Sequence, residues 1–248
     1  MFKAHTGAAG RPVVILHSSD LHIDDDARLN GYTGLMGLGC VLETAVEIRA
    51  DLVVLTGDTF DNGRVAATVA RQAGALLAKS PVPVILLPGN HDPAGPESMF
   101  HRSGITELTQ ARVIGLTAPE SIIFDHLELE IVGRPHMSYS DMNPLPLKAP
   151  RKARWQVVLA HGHYVPPEDW DAESHRSWRI SDKALAETAA DYVALGHWDR
   201  PVAIGDGTVR AYYSGSPDLA RTANLIRLDQ VKGVAVERVP LRLPLPPR

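Results

Sequence analysis

The sequence predicts an α/β protein, a four-layer α-β-β-α sandwich built on two mixed sheets. Two observations carry that expectation. In the first half, short apolar runs alternate with stretches of helical spacing, the mark of βαβ units and a largely parallel sheet. In the second half, apolar runs follow one another with little helix between them, which points to a second sheet packed on the first and flanked by helices.

The elements follow in order. Val13 to Leu16 reads as a buried strand running into the polar stretch His17-Ser18-Ser19-Asp20. Helical spacing holds from about Leu35 to Ala50, and Leu52 to Leu55 forms a second buried strand ending at Thr56-Gly57-Asp58. A helix over about Val65 to Lys79 precedes a third strand, Val82 to Leu87, which ends at Gly89-Asn90-His91-Asp92. Further strands are expected near 112–116, 121–124, 127–133 and 155–160. One helix, about Ser181 to Ala189, leads into the strand Tyr192 to Leu195, and hairpin-like strands follow near 201–204, 208–213, 224–229 and 233–239. The organisation expected is a loose segment over 1–11, one domain over 12–239 and a Pro-rich tail over 240–248.

Composition narrows the function. At 248 residues, 44% hydrophobic and 22% charged, the chain has the make-up of an ordinary globular protein. A formal net charge of -4 argues against a surface coated in nucleic acid, though carboxylate ligands alone can make a nuclease site acidic. A single cysteine, Cys40, excludes an internal disulfide framework and a cysteine-based zinc site. The start of the chain has no apolar signal region, and no apolar run approaches the ~20 residues needed to span a bilayer, so a cytoplasmic protein without a membrane partner is expected.

The chemistry lies where the strands end. Asp20-Leu-His22, Gly57-Asp58, Gly89-Asn90-His91-Asp92, His161-Gly-His163 and Gly196-His197-Trp-Asp199 each follow an apolar strand. In open α/β sheets the carboxyl ends of strands frame the ligand crevice, so these loops deliver oxygen and nitrogen donors to one place. Each motif alone is weak, since an Asp-x-His pair or a strand-end histidine is commonly structural. Their repetition in this order makes a metal centre the better reading.

The string resembles the calcineurin-like metallophosphoesterase superfamily, over about Val13 to Pro217. Its Asp-x-His, Gly-Asp-x-x-Asp, Gly-Asn-His-Asp, later His and Gly-His-x-His elements correspond to Asp20-Leu-His22, Gly57-Asp58-Thr-Phe-Asp61, Gly89 to Asp92, His161 and Gly196-His197-Trp198-Asp199. Within it the SbcD-like DNA-repair exonucleases look closest, on Ile15 to His22, Phe60 and Tyr213-Ser214-Gly215-Ser216-Pro217.

The resemblance implies two divalent cations, manganese first, with iron or zinc as alternatives. One would be held by Asp20, His22, Asp58 and Asp199, the other by Asp58, Asn90, His161 and His197, with Asp58 bridging. Such a pair, ~3.5–4 Å apart, holds a bridging hydroxide and clamps phosphate oxygens for in-line attack. His91 resembles the family's non-ligand histidine, Asp92 is expected to orient its ring, and Asp61 to support the site from behind. Asp199 departs from the pattern, standing where the family has a histidine; if it turns away, His163 or a water would complete that shell.

Other residues receive blander readings. His17 is a packing or supporting histidine, and Asp24-Asp25-Asp26 a solvated acidic turn. Gly34, Gly37 and Gly39 make no dinucleotide fingerprint. Lys148, Arg151, Lys152 and Arg154 form a basic cluster that reads as a solvated face, with phosphate contact as the alternative. The function expected is phosphodiester hydrolysis, with DNA as leading substrate, a small phosphoester such as a cyclic nucleotide as runner-up, and a non-catalytic interaction module as the remote third. SbcD-like relatives work with a coiled-coil ATPase through capping and partner-binding regions; the expectation here is the phosphoesterase core alone, which leaves that partner in doubt.

Overall fold

The computed structural model describes residues 11–27, 31–146, 150–170 and 177–243. The expected loose segment over 1–11, apart from Arg11, most of the 240–248 tail and Lys148 lie outside these residues.

The first sheet begins with β1 (Val13–Ser18), whose six residues are all buried. α1 (Gly34–Glu47) follows, opened by the Thr33 hydroxyl, which accepts from the Met36 amide. It buries Gly34, Gly37, Leu38, Val41, Leu42 and Ala45, the stripe that helical spacing predicts. It stops short of Ala50 because Arg49 turns left-handed (φ 55°) and the Ala50 amide returns to the Ala45 carbonyl. β2 (Leu52–Thr56), α2 (Ala67–Ala78), β3 (Val84–Leu87), the short α3 (Met99–Arg102) and β4 (Ala111–Val113) complete this half. At the head of α2 the Asp25 carboxylate accepts the Ala66 amide at 2.7 Å, so that member of the acidic turn anchors a loop.

The second half supplies β5 (Ser121–Phe124), β6 (Leu129–Gly133), β7 (Trp155–His161), β8 (His163–Tyr164), β9 (Arg179–Ile180), α4 (Asp182–Thr188), β10 (Tyr192–Gly196), β11 (Val202–Ile204) and β12 (Ala211–Tyr213). After α5 (Pro217–Ala220), β13 (Thr222–Asp229) and β14 (Gly233–Pro240) return to the first sheet. That sheet runs β14-β13-β1-β2-β3-β4, the second β11-β12-β10-β7-β6-β5, and β8 pairs with β9 alone. β1 to β4 are parallel, with β13 and β14 antiparallel at one side. β6, β7, β10 and β12 are parallel, with β5 and β11 antiparallel at the two edges. The two mixed sheets predicted from sequence are therefore the architecture observed. The placement of β13 and β14 in the first sheet, and the β8–β9 ladder, were not in that expectation.

Three apolar cores separate the layers. One joins the helical face of the first sheet to α1 and α2 through Leu38, Val41, Ala73 and Leu77. The second lies between the sheets, where Ile15, Val54, Ile85, Leu159, Ala194 and Ile226 meet. The third holds α4 on the second sheet through Leu185 and Val193. β1, β2 and β3 of one sheet and β7 and β10 of the other end on the same side of the molecule, because their terminal loops bond to one another there.

Candidate metal centre

The loops after β1 and β2 are zipped together. The Asp20 amide donates to the Gly57 carbonyl (3.1 Å), the His22 amide to Asp58 (3.0 Å), the Ile23 amide to Thr59 (2.9 Å), and the Asp61 amide back to Ile23 (3.0 Å). To make these turns, Asp20, His22 and Asp58 adopt left-handed backbone with φ of 54°, 46° and 51°, and His197 stands at 106°. Non-glycine residues avoid this region, and such strain concentrates at functional sites. Gly57, at φ 91°, is obligatory on a second ground: a Cβ there would lie 2.0 Å from His161 Nδ1.

The side chains converge. Asp58 Oδ2 lies 3.1 Å from His161 Nε2 and 4.0 Å from His22 Nε2. The Asn90 amide oxygen lies 3.0 Å from His161 Nε2 and 3.2 Å from His197 Nδ1. Asp20 is held by the Ser19 hydroxyl (2.5 Å) and by the His197 amide, which donates to both carboxylate oxygens (3.0 and 3.1 Å). Ligand atoms of Asp20, His22 and Asp58 form one group within 4.8 Å, and those of Asp58, His161 and His197 form another. Asp58 belongs to both.

The donor set suits divalent cations. His161 Nδ1 donates to the Thr56 carbonyl at 2.9 Å, which turns the Nε2 lone pair toward two oxygens, Asn90 Oδ1 and Asp58 Oδ2. Lone pairs facing lone pairs require a proton or a cation between them. A histidine whose other nitrogen is bonded to a carbonyl is the usual arrangement of a metal ligand.

Without cations, protons take that place. Burial disfavours charge on His161, but the Asp58 carboxylate overrides it and pushes the imidazole up to about 9. Asp58 itself, although burial opposes its charge, is held well below the usual carboxylate range by His161 and His22. Burial pushes Asp20 up to about 6 against the pull of His161. His197 is driven down to about 3, by burial and then by the neighbouring His161.

Most of the predicted site residues meet here; two behave differently. Asp92 does not orient His91. It is 1% exposed, and its two oxygens accept the Gly89 amide (2.7 Å) and the Phe60 amide (3.0 Å), tying the β2 and β3 loops together. The expected orienting role falls to Asp61: its backbone carbonyl accepts His91 Nδ1 at 2.6 Å, and its carboxylate meets His22 Nδ1 at 2.9 Å. His91 is solvent-exposed, with its ring 4.9 Å from that of His22. Asp199 is exposed and lies outside both donor groups. His163 accepts Trp198 Nε1–H at its Nδ1 (3.0 Å), beside His197 at 5.9 Å between rings.

His136 went unnoticed in the sequence, although it too closes a strand end. Fully buried, it donates from Nε2 to the His161 carbonyl at 2.8 Å, and burial drives it down to about 4. His17 is the packing histidine expected, bonded between Tyr192 and Thr56. The basic cluster is remote: Arg151, Lys152 and Arg154 border a cavity of about 450 Å³ at the start of β7, whereas the donors sit at its end. Arg151 there pairs with Asp191 at 2.6 Å. Among the described residues no helix is long and apolar enough to cross a membrane.

Comparison with known proteins identifies the family. The family profile described as calcineurin-like phosphoesterase matches residues 13–223. The D subunit of the nuclease SbcCD of Bacillus subtilis is 25% identical, over 82% of this chain and 61% of that protein. The DNA double-strand break repair protein Mre11 of Archaeoglobus fulgidus is 27% identical, over 75% of this chain and 46% of that protein. The corresponding SbcCD polypeptide of Rhodobacter capsulatus is 23% identical, over 94% of this chain and 70% of that protein. The chain thus spans less than two thirds of the length of the first two relatives. Among solved structures, a candidate 5'-nucleotidase of Staphylococcus aureus superposes with a TM-score of 0.58 at 14% identity, covering 96% of this chain and 55% of that one. A Thermus thermophilus protein superposes with a TM-score of 0.56 at 12% identity, covering 93% of this chain and 99% of that one. These likenesses speak for the fold alone. With strand-end donors meeting at a shared carboxylate and a family match running from β1 into β13, the chain belongs to the calcineurin-like phosphoesterases, hydrolases acting on phosphoester bonds.

Proposed function

We propose that the chain hydrolyses phosphodiester bonds at a two-cation centre, with DNA as the leading substrate. The observation that carries this reading is the membership of Asp58 in both donor groups, since a carboxylate can bridge two cations. Asp20, His22 and Asp58 would hold one cation, and Asp58, Asn90, His161 and His197 the other. Asp199 completes the first set by turning its exposed carboxylate inward. Retention of both cations in Asp199→Ala would instead give that position to water. Carboxylate and imidazole donors suit manganese, with iron and zinc as competitors. When bound, such a pair supplies a deprotonated water as nucleophile and positive charge for the phosphate oxygens.

The chain's own residues perform the remaining tasks. The Asp61 carbonyl accepts the His91 Nδ1–H, so Nε2 of the exposed ring, once it has taken a proton from solvent, would pass that proton to the leaving oxygen. Asp61 also fixes the His22 ring, so one residue sets both a donor and a proton source. The DNA assignment rests on the relatives, each named as part of a nuclease or as a break-repair protein. The test is Mn²⁺-dependent hydrolysis of linear single- and double-stranded DNA beside cyclic AMP and a phosphomonoester, with Asp58→Asn as control. DNA cleavage lost in the control supports the proposal. Turnover of cyclic AMP alone overturns the DNA assignment and keeps the hydrolytic centre.

A further inference from the structure

The cation donors occupy one floor of the site, and an aromatic wall rises beside them. Trp178 stands with its ring centroid 5.9 Å from His197 and 5.4 Å from His136, edge-to-face with both. It is only partly buried, yet it is held firmly. Its amide donates to the Asp141 carboxylate (2.7 Å), its indole N–H to the Ser140 carbonyl (3.1 Å), and its carbonyl accepts the His163 amide (2.8 Å). The backbone of Trp178 is left-handed (φ 53°), which a bulky residue adopts only when its surroundings impose it.

The β8–β9 ladder explains the imposition. It begins two residues after His161 and sets His163 opposite Arg179, which brings the residue before Arg179 beside His197. Gly162 is the pivot, since a Cβ there would lie 2.4 Å from the Trp178 carbonyl. The Ser140–Asp141 loop that anchors Trp178 also carries Tyr139, 66% exposed, whose hydroxyl would meet a Cβ on Gly63 at 3.4 Å. Gly63 lies two residues beyond Asp61, so the loop reaches both the His197 and the Asp61 sides of the centre.

We propose that Trp178, with Tyr139 as the outer member, is a stacking platform for the nucleobase of the nucleotide whose phosphate is cleaved. The proposal rests on the phosphodiesterase reading and names its substrate class as nucleotidyl esters. An indole whose N–H is already committed to Ser140 offers a π surface and no hydrogen bond, which selects for planar rings and tolerates any base. A phosphate at the donors would put an attached nucleoside within reach of a ring that already touches His197.

The test compares thymidine 5'-(p-nitrophenyl phosphate) with methyl p-nitrophenyl phosphate, which share a leaving group and differ in the other ester. The ratio of their kcat/KM values isolates the nucleoside, and its change between wild type and Trp178 variants isolates the stacking contact. Trp178→Leu is expected to lower that ratio on the order of tenfold or more, and Trp178→Phe to restore most of it. An equal loss on both esters would assign Trp178 to bracing His197 and overturn the platform. If the wild type cleaves neither ester, the hydrolytic reading fails and titration with thymidine 5'-monophosphate decides this one. Quenching of tryptophan fluorescence present in the wild type and absent in Trp178→Phe supports the platform; no quenching overturns it. The same titration decides if Trp178→Leu does not fold.

Discussion

At single residues, the proposed centre is a set of exchanges between protons and cations. In the cation-free protein His161 and Asp58 form an imidazolium–carboxylate pair, with His161 raised to about 9. A raised folded value means the pair's stabilisation is complete below the ordinary histidine value near 6.5 and is lost as pH rises through about 9. The metal-free melting temperature should therefore fall across that window. Mn²⁺ affinity should rise across it, because the cation displaces the His161 proton. Calorimetric titration in two buffers of different ionisation enthalpy would show that release, and an unchanged apparent enthalpy would count against it. The proposal gives His91 a different task. His91→Ala is expected to keep both cations and lose roughly 10²–10⁴-fold in rate. Metal content measured beside turnover separates the two, and a drop in bound metal would make His91 a ligand.

At the scale of elements, the loops matter more than the strands they close. β1 and β2 are ordinary buried strands, but their loops run on as a second short ladder through Asp20, His22 and Asp58, with Ile23 opposite Phe60. Gly57→Ala should break this ladder, since the new methyl would meet the His161 ring on a backbone at φ 91°. The expected result is a lowered melting temperature and loss of both cations; a folded variant binding two cations would show that the loops tolerate the shift. Asp92→Asn tests a subtler link. An amide cannot accept both the Gly89 and Phe60 amides as the carboxylate does, so a loss of about 1–3 kcal/mol is expected by chemical denaturation. His91 should keep its orientation in that variant, because Asp61 holds it.

For the whole molecule, the centre joins the two sheets. Asp20, Asp58 and Asn90 come from the first sheet and His161 and His197 from the second, over a shared apolar core. The His17–Tyr192–Asn224 contacts tie the same sheets beneath the loops. One cooperative unfolding transition is expected, shifted upward by Mn²⁺. Leu159→Ala in the inter-sheet core should cost about 2–5 kcal/mol and weaken cation binding as well, since β7 carries His161. Two separate calorimetric transitions would contradict a single domain over 12–239.

The sequence by itself determined the layers and set candidate donors at the strand ends. Buried runs such as Leu52 to Leu55 and the stripe of α1 announce their elements, because their periodicity is set by local geometry. Donor residues at strand ends announce a site, because parallel sheets gather those ends. Tertiary structure alone decided which partner each side chain took. Asp92 and Asp61 are both carboxylates of the same motif string as His91, yet the buried amides of Gly89 and Phe60 claim Asp92 and leave the ring to Asp61. The joining of β13 to β1, the position of Trp178 beside His197 and the exposure of Asp199 likewise depend on contacts between residues far apart in the chain. Hydrogen bonds and packing across such distances follow from the closed fold, and residue type does not encode them.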